Sequence, residues 1–234
     1  ILSNNTNEYL YNLLPLLAGE YASEYAGKYN KYFKMHYFRH FRNMKINEIF
    51  YSIQGEGRWT GLPNVFIRTA GCNLRCSFCD TKYAYFHGKE MLVTDIVKKI
   101  NKYPCKKVCI TGGEPLLQKE LNKLIDILLK ESYGICIETN GSQSIENLEK
   151  NRNLMLSVDI KCPSSNMNEK MNFDNISLLK EKDQLKFVIK DKKDYEYAKK
   201  IIRDYKPACP IYFQPVWGTN PKKIAEWIKE DGLN

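Results

Sequence analysis

The sequence contains no run of about 18 apolar residues, which argues against a membrane-spanning helix. Residues 10–18 are apolar, but the basic region that a secretory signal places ahead of such a stretch is missing. Dense basic arms and familiar nucleic-acid-binding motifs are missing too. The net charge of +9 comes instead from lysines scattered through helix-like stretches such as residues 191–200, which normally form solvated faces. Direct nucleic-acid binding is therefore not expected. An acidic electron-transfer protein would suit the charge as well as RNA would, so charge alone decides nothing. There is no internal repeat and no low-complexity linker. Histidine is scarce: of three, only His87 follows Met44.

What is present is the composition of a globular protein, 43% hydrophobic and 27% charged over 234 residues, enough for one substantial domain. Eight cysteines occur, and three of them, Cys72, Cys76 and Cys79, cluster tightly. With no secretion signal, that pattern favours a reducing, cytoplasmic compartment and a metal site over disulfides. The other five are dispersed, and Cys109 and Cys136 fall in apolar strand-like runs as small buried hydrophobes.

The chain divides near Met44. Residues 1–43 hold seven of the sixteen tyrosines and form an N-terminal extension, either an upstream reading artefact or a helical appendage carrying Leu10, Leu13, Leu14 and Leu17 at helical spacing. Residues 44–234 form the main domain, opening on the strand-like run from Met44. Apolar β-prone runs follow at residues 65–68, 108–111, 135–138, 155–160, 185–189 and 211–216. Helical patterns alternate with them: residues 95–103 capped by Thr94, a stripe of Leu121, Leu124, Ile125 and Leu128, a shorter helix over 144–150, an amphipathic 195–205, and a last helix opened by Asn220-Pro221. Six strands alternating with helices predict an α/β fold with a parallel sheet, open or curled into a partial barrel. Sites in such folds form at the carboxyl ends of the strands. Thr111-Gly-Gly-Glu-Pro, Glu138-Thr-Asn-Gly, Asp159-Ile-Lys and Gln214-Pro-Val lie there.

Gly71-Cys-Asn-Leu-Arg-Cys-Ser-Phe-Cys-Asp80 is the strongest signal. Its Cys-x3-Cys-x2-Cys spacing lets three thiolates converge on one metal centre. Structural zinc wants four ligands, and no fourth cysteine or histidine lies close by. A [4Fe–4S] cluster on three cysteines leaves one iron open for a further ligand. Thr111-Gly-Gly-Glu-Pro115 ends a buried strand; its glycines permit close approach of a ligand, and Glu114 offers a carboxylate for an ammonium group.

The three-cysteine loop followed by Gly-Gly-Glu-Pro resembles the radical S-adenosylmethionine superfamily. Phe50-Tyr-Ser-Ile-Gln-Gly-Glu-Gly57, Gly61-Leu-Pro-Asn-Val-Phe-Ile-Arg68 and Cys79-Asp-Thr81 narrow the resemblance to the 7-carboxy-7-deazaguanine synthases, over nearly the whole chain after Met44. The resemblance implies a partial (β/α)6 barrel with a radical SAM core. It implies conversion of 6-carboxy-5,6,7,8-tetrahydropterin to 7-carboxy-7-deazaguanine with loss of ammonia, toward queuosine, archaeosine and related 7-deazapurines. Cys72, Cys76 and Cys79 would hold the cluster, whose open iron is chelated by S-adenosylmethionine.

By the same resemblance, Phe78, Asp80, Gly113, Glu114, Asp159, Ile160, Lys161, Gln214, Pro215, Val216 and Trp217 line the S-adenosylmethionine site, with Glu114 taking the amino group. Ile53, Gln54, Gly55, Glu56, Arg68 and Thr111 contact substrate, and Arg68 suits a carboxylate because its fork can grip both oxygens. Thr81 would ligate a Mg²⁺ that also touches substrate, oxygen being the donor this ion prefers. The bland alternatives are a surface ion pair for Arg68, tight turns for Gly55 and Gly57, and a helix cap for Asp80 and Thr81. A homodimer and a flavodoxin or ferredoxin electron donor are the family expectation. Such enzymes usually continue into a Gln-x-His-like element beyond the final helix, where this sequence stops, so a truncated C-terminus is expected. The rival enzyme is a glycyl-radical activating enzyme; a zinc-containing tRNA-binding protein is the rival of another class.

Overall fold

A computed structural model of the chain describes residues 43–233. The expected N-terminal extension lies outside them, apart from Asn43, which opens the first strand. Six of the eight strands are parallel, in the order β2 (Pro63–Thr69), β4 (Lys107–Gly112), β5 (Gly134–Thr139), β6 (Leu154–Lys161), β7 (Gln184–Ile189) and β8 (Ile211–Pro215). β1 (Asn43–Ile53) pairs antiparallel with β2, and β3 (Lys89–Leu92) pairs antiparallel with β1 at the edge. These six are the six apolar runs read from the sequence; strands of a parallel sheet covered on both faces are apolar nearly throughout.

The two faces are filled differently. Val65, Ile67, Val108, Ile110, Ile135, Ile137, Leu185 and Phe187 pack outward on the helices in the main core. Those helices are α1 (Val93–Ile100), α2 (Leu121–Lys130), α3 (Asp174–Leu178), α4 (Lys192–Tyr205) and α5 (Pro221–Glu230). On the inner face Phe66, Cys109, Cys136 and Met155 stand side by side in register on four adjacent strands. They form a second small cluster with Phe50 and Trp59. Two residues further along each strand the inner face turns polar, at Arg68, Thr111, Glu138 and Ser157, as the two-residue strand period requires. The apolar row is a floor and the polar row stands on it, at the carboxyl ends.

The sheet curls into a partial barrel. β7 lies four places from β2, about 19 Å along a flat sheet. Yet Arg58, in the β1–β2 connection, donates its backbone N–H to Gln184 Oε1 of β7 at 2.8 Å, and its guanidinium donates to the Glu181 carbonyl at 2.7 Å. The connection, residues 54–62, crosses the inner face as a strap, closed on itself by Gln54 N to Leu62 O (2.9 Å) and Gly61 N to Gln54 O (2.8 Å).

Two helical expectations are corrected. Residues 144–150 form no helix. The buried Asn175 side chain takes the backbone of that segment instead, accepting from Ile145 N (3.1 Å) and donating to Gln143 O (2.8 Å) and Gly141 O (3.2 Å). Thr94 is not a cap: the helix starts at Val93 directly from β3, with no side-chain cap, so strand pairing rather than capping sets its start. Asn220 does cap α5, accepting from Lys222 N, and Asp191 caps α4, which starts at Lys192 rather than at the expected Tyr195. Among the described residues no helix is long and apolar enough to cross a membrane.

Candidate active site

The Gly71–Asp80 loop follows β2 and is held mostly by backbone. Gly71 N donates to Ala84 O (2.9 Å), Gly113 N to Thr69 O (3.0 Å) and Glu114 N to Gly71 O (2.7 Å). A Cβ on Gly113 would collide with the Gly71 carbonyl, and one on Gly112 with the Thr69 backbone. The double glycine therefore serves to seat one strand end against the cysteine loop, in addition to baring backbone toward a ligand. Arg75 braces the loop from outside, donating to Cys72 O (2.8 Å) and Leu74 O (2.7 Å) while lying 4.5 Å from the Tyr85 ring centre.

Cys72, Cys76 and Cys79 are half-buried, unpaired and face one cavity of about 880 Å³, large enough for a cofactor and a small substrate together. Burial pushes the thiols of Cys72 and Cys76 above their ordinary range, so neither is a nucleophilic thiolate in its own right. Among the described residues the cavity wall carries no histidine and no fourth cysteine. Three convergent sulfurs without a fourth protein ligand fit a [4Fe–4S] cluster with one open iron and do not complete a structural zinc site.

Glu114 stands just behind the cavity wall. Its carboxylate does not line the cavity and is 0% exposed. Oε1 accepts from Leu116 N (3.0 Å) and Thr139 Oγ1 (2.8 Å), and Oε2 from Asn140 N (2.7 Å). Burial raises its pKa in spite of those donors. Asn140 then reaches Asn73 Oδ1 (3.1 Å) and Cys72 Sγ (3.7 Å). Glu114 thus ties the end of β5 to the cysteine loop, and its Oε2, which accepts one bond where Oε1 accepts two, keeps room for one further donor.

The opposite half of the cavity is a charged cradle. Lys186 Nζ lies 2.6 Å from Glu56 Oε2 and 3.3 Å from Asp159 Oδ1, and Lys161 Nζ is 2.6 Å from Asp159 Oδ2. Burial pushes the Asp159 carboxyl up, but Lys161 and Lys186 outweigh it and hold it below the usual range. Burial pulls Lys186 down, but Asp159, Glu138 and Glu56 keep it well above. Gln54 Nε2 donates to Glu138 Oε1 (3.0 Å) and its Oε1 accepts from Glu56 N (3.1 Å). Arg68 Nε binds Glu48 (2.7 Å), with the guanidinium carbon 5.8 Å from the Phe50 ring centre and 5.9 Å from that of Tyr83. The ion pair expected as the bland alternative is therefore present, and Arg68 still lines the cavity.

Of the sequence-selected residues, the structure brings Gln54, Gly55, Glu56, Arg68, the three cysteines, Phe78, Asp80, Thr81, Thr111, Gly113, Asp159, Lys161, Gln214, Pro215, Val216 and Trp217 onto this one cavity. Ile53 is not there: it ends β1 and is 58% exposed. Neither is Ile160, whose side chain points outward into the helix-facing core, as alternation between Asp159 and Lys161 demands. Thr81 Oγ1 donates to Asp80 Oδ1 (2.6 Å) without capping the turn that follows, so two oxygen-bearing side chains sit together on the wall. Sequence reasoning placed Glu138 and Asn140 at a strand end without giving them a role, and missed Lys186 and Tyr85. Lys186 had a signal: a lysine two residues after Gln184 inside an apolar strand marks a polar inner face.

Cys109 and Cys136 are buried as expected. Their sulfurs lie within 4.8 Å of each other and of a Glu138 oxygen. Gln54 Nε2 donates to both Cys109 Sγ (3.5 Å) and Glu138 Oε1, which places an N–H where a cation would need a lone pair.

The profile of the Radical SAM superfamily matches residues 66–219. A 7-carboxy-7-deazaguanine synthase of Thermoplasma acidophilum is 38% identical over 191 residues, 82% of this chain and 91% of that protein. One from Methanospirillum hungatei is 42% identical over 81% of this chain and 80% of its own. Among solved structures, QueE from Escherichia coli superposes with a TM-score of 0.67 at 25% identity, covering 88% of this chain and 96% of that one. TYW1 with a lysine-pyruvate adduct bound shares the fold at 13% identity, with a TM-score of 0.52, over 72% of this chain and 73% of that one.

Proposed function

We infer the activity from one premise: the chain belongs to the 7-carboxy-7-deazaguanine synthase family of the radical SAM superfamily. It converts 6-carboxy-5,6,7,8-tetrahydropterin to 7-carboxy-7-deazaguanine, with ammonia as the other product, so the reaction is redox-neutral. The observation that carries this reading is that a single cavity joins the three-thiol loop to the cradle of Gln54, Glu56, Arg68 and Glu138. A [4Fe–4S] cluster on Cys72, Cys76 and Cys79, with S-adenosylmethionine on its open iron, supplies when bound the 5′-deoxyadenosyl radical that removes a substrate hydrogen.

The side chains of this chain do the rest. Arg68 faces the carboxylate of the substrate with the N–H groups its bond to Glu48 leaves over. Glu56, Gln54 and Glu138 offer acceptors to the N–H edge of the pterin ring, and Phe66 closes the floor against water. Asp159 and Lys161 face the adenosine half, with Gln214 and Trp217 at the mouth. Thr81 provides an oxygen ligand for Mg²⁺, with Asp80 beside it toward the S-adenosylmethionine site, which makes the enzyme a metal-assisted carbon–nitrogen lyase. A homodimer and a flavodoxin or ferredoxin donor belong to the same reading; the +9 charge suits an acidic donor.

The test is an anaerobic assay of iron-reconstituted protein with S-adenosylmethionine, Mg²⁺ and 6-carboxytetrahydropterin, read by mass spectrometry. The reading expects 7-carboxy-7-deazaguanine, abolished in Cys76→Ala and reduced in Thr81→Ala. 5′-Deoxyadenosine alone would refute the substrate, and zinc in place of iron would refute the chemistry.

A further inference from the structure

We propose that Gln184, a residue outside the cavity wall, is a positioning residue for substrate recognition: it fixes the strap that presents Gln54 and Glu56. This inference rests on the substrate assignment above. Gln184 is buried on β7, and both ends of its amide are engaged. Nε2 donates to Ser157 Oγ at 2.8 Å, and Oε1 accepts from the backbone N–H of Arg58 at 2.8 Å. With donor and acceptor both committed, the amide has one orientation.

The strap is shaped to rest on it. Gly57 has φ +63° and lies against the carboxamide so closely that a Cβ would collide with Gln184 Nε2. Glycine is required there twice over, by the left-handed backbone and by the contact. Two residues further along β7, Lys186 grips Glu56 at 2.6 Å. One strand, some 126 to 130 residues away in sequence, therefore holds successive strap residues at a set height above the floor. Gln54 and Glu56 point into the cavity from that strap, so an error in its height displaces the acceptors that the substrate ring must meet. The cysteine loop is fastened elsewhere, and its geometry does not depend on Gln184.

The test compares reconstituted full-length wild type with Gln184→Ala and the conservative Gln184→Glu, which keeps an acceptor for Arg58 N. Two readouts are taken: steady-state kinetics with 6-carboxytetrahydropterin, and amide hydrogen exchange of residues 54–60. Gln184→Ala should raise KM about tenfold, the cost of one lost anchoring hydrogen bond, with kcat and substrate-free cleavage of S-adenosylmethionine unchanged. The strap amides should exchange about tenfold faster. Gln184→Glu should return both toward wild type. Wild-type KM and exchange in Gln184→Ala would overturn the proposal. So would a KM rise matched by an equal loss of substrate-free cleavage, which signals general misfolding. If wild type forms no 7-carboxy-7-deazaguanine, the substrate assignment falls, and the exchange measurement still decides whether Gln184 holds the strap.

Discussion

Replacing Glu114 by glutamine separates two roles this residue could have. Its carboxylate accepts from three donors inside the protein, at 2.7, 2.8 and 3.0 Å. An amide can keep one oxygen for Leu116 N and Thr139 Oγ1, but then its NH₂ faces the Asn140 N–H across the 2.7 Å now bridged by Oε2. A buried donor left unmatched costs about 1–3 kcal/mol, and two donors face to face put the loss at the upper end, about 3 kcal/mol. At about 2–4 °C per kcal/mol for a domain of this size, Tm should fall by roughly 6–12 °C. Circular dichroism of cluster-free protein measures this directly. The pH dependence gives a second handle. Burial raises the folded pKa of Glu114 above its ordinary 4.5, so the native state keeps the proton longer than the unfolded chain does. The stabilisation this gives is complete below the unfolded pKa and is lost as pH rises through the folded one. The advantage of wild type over Glu114→Gln should therefore shrink as pH rises from about 4.5. An unchanged Tm with weaker S-adenosylmethionine binding would refute this reasoning and restore a direct contact with the ammonium group.

Three further outcomes are expected. Asp159→Asn leaves Lys161 and Lys186 buried without their shared anion and should cost about 3–5 kcal/mol in urea unfolding. Because those lysines depress the Asp159 pKa below 3.8, wild type gains stability from it above that value and loses it as pH falls through the folded pKa; the variant should lack this acid limb. Arg68→Lys keeps the charge but loses the fork that holds Glu48 and, in the proposed binding mode, would hold the substrate carboxylate too, so KM for 6-carboxytetrahydropterin should rise about tenfold or more. Tyr195→Phe removes the hydroxyl that sits 2.8 Å from Asp231 Oδ2 and 2.9 Å from Trp227 O, loosening α5 from α4. The expected cost is about 1 kcal/mol, read as a Tm loss of about 2–4 °C.

The parallel strands were legible in the sequence because burial on both faces makes each a continuous apolar run, and no longer-range fact is needed to see one. The cysteine loop was legible for a similar reason: its ligands are neighbours in sequence, and spacing alone implies their convergence. What could not be read depends on partners far along the chain. Residues 144–150 have helical composition, but Asn175 takes the Ile145 N–H together with the Gln143 and Gly141 carbonyls just ahead of them. Glu114 has the look of a ligand-binding carboxylate, but Thr139 and Asn140, 25 and 26 residues on, turn it inward. Ile160 stands between Asp159 and Lys161 in sequence, but a strand sends alternate side chains to opposite faces, and its own packs in the core. Lys186 marks a polar inner face by its place in an apolar strand, but that it and Gln184 anchor a strap follows only from the crossing to β7.

The two halves of the cavity are held by different forces, and the difference follows from what each must do. The cysteine half is tied by backbone bonds such as Gly113 N to Thr69 O and Glu114 N to Gly71 O. They join neutral groups, so salt hardly screens them, and a cluster with fixed metal–sulfur lengths needs a loop with little freedom. The substrate half is tied by charge. The Glu56 side chain keeps 39% of its surface in water, so its bond to Lys186 is weaker and screened by salt. Substrate must enter past the residues that bind it, and a strap held by a few side-chain hydrogen bonds, from Arg58 to Gln184 and Glu181 and from Gln54 to Glu138, and by one half-exposed ion pair can move while the cysteines stay in place. Lys186 is where the halves meet: the same ammonium touches Glu56 on the strap and Asp159 beside Lys161. A group that draws Glu56 away leaves Lys186 to Asp159 and Glu138, and so shifts the electrostatics around Asp159 and Lys161 through one shared ammonium.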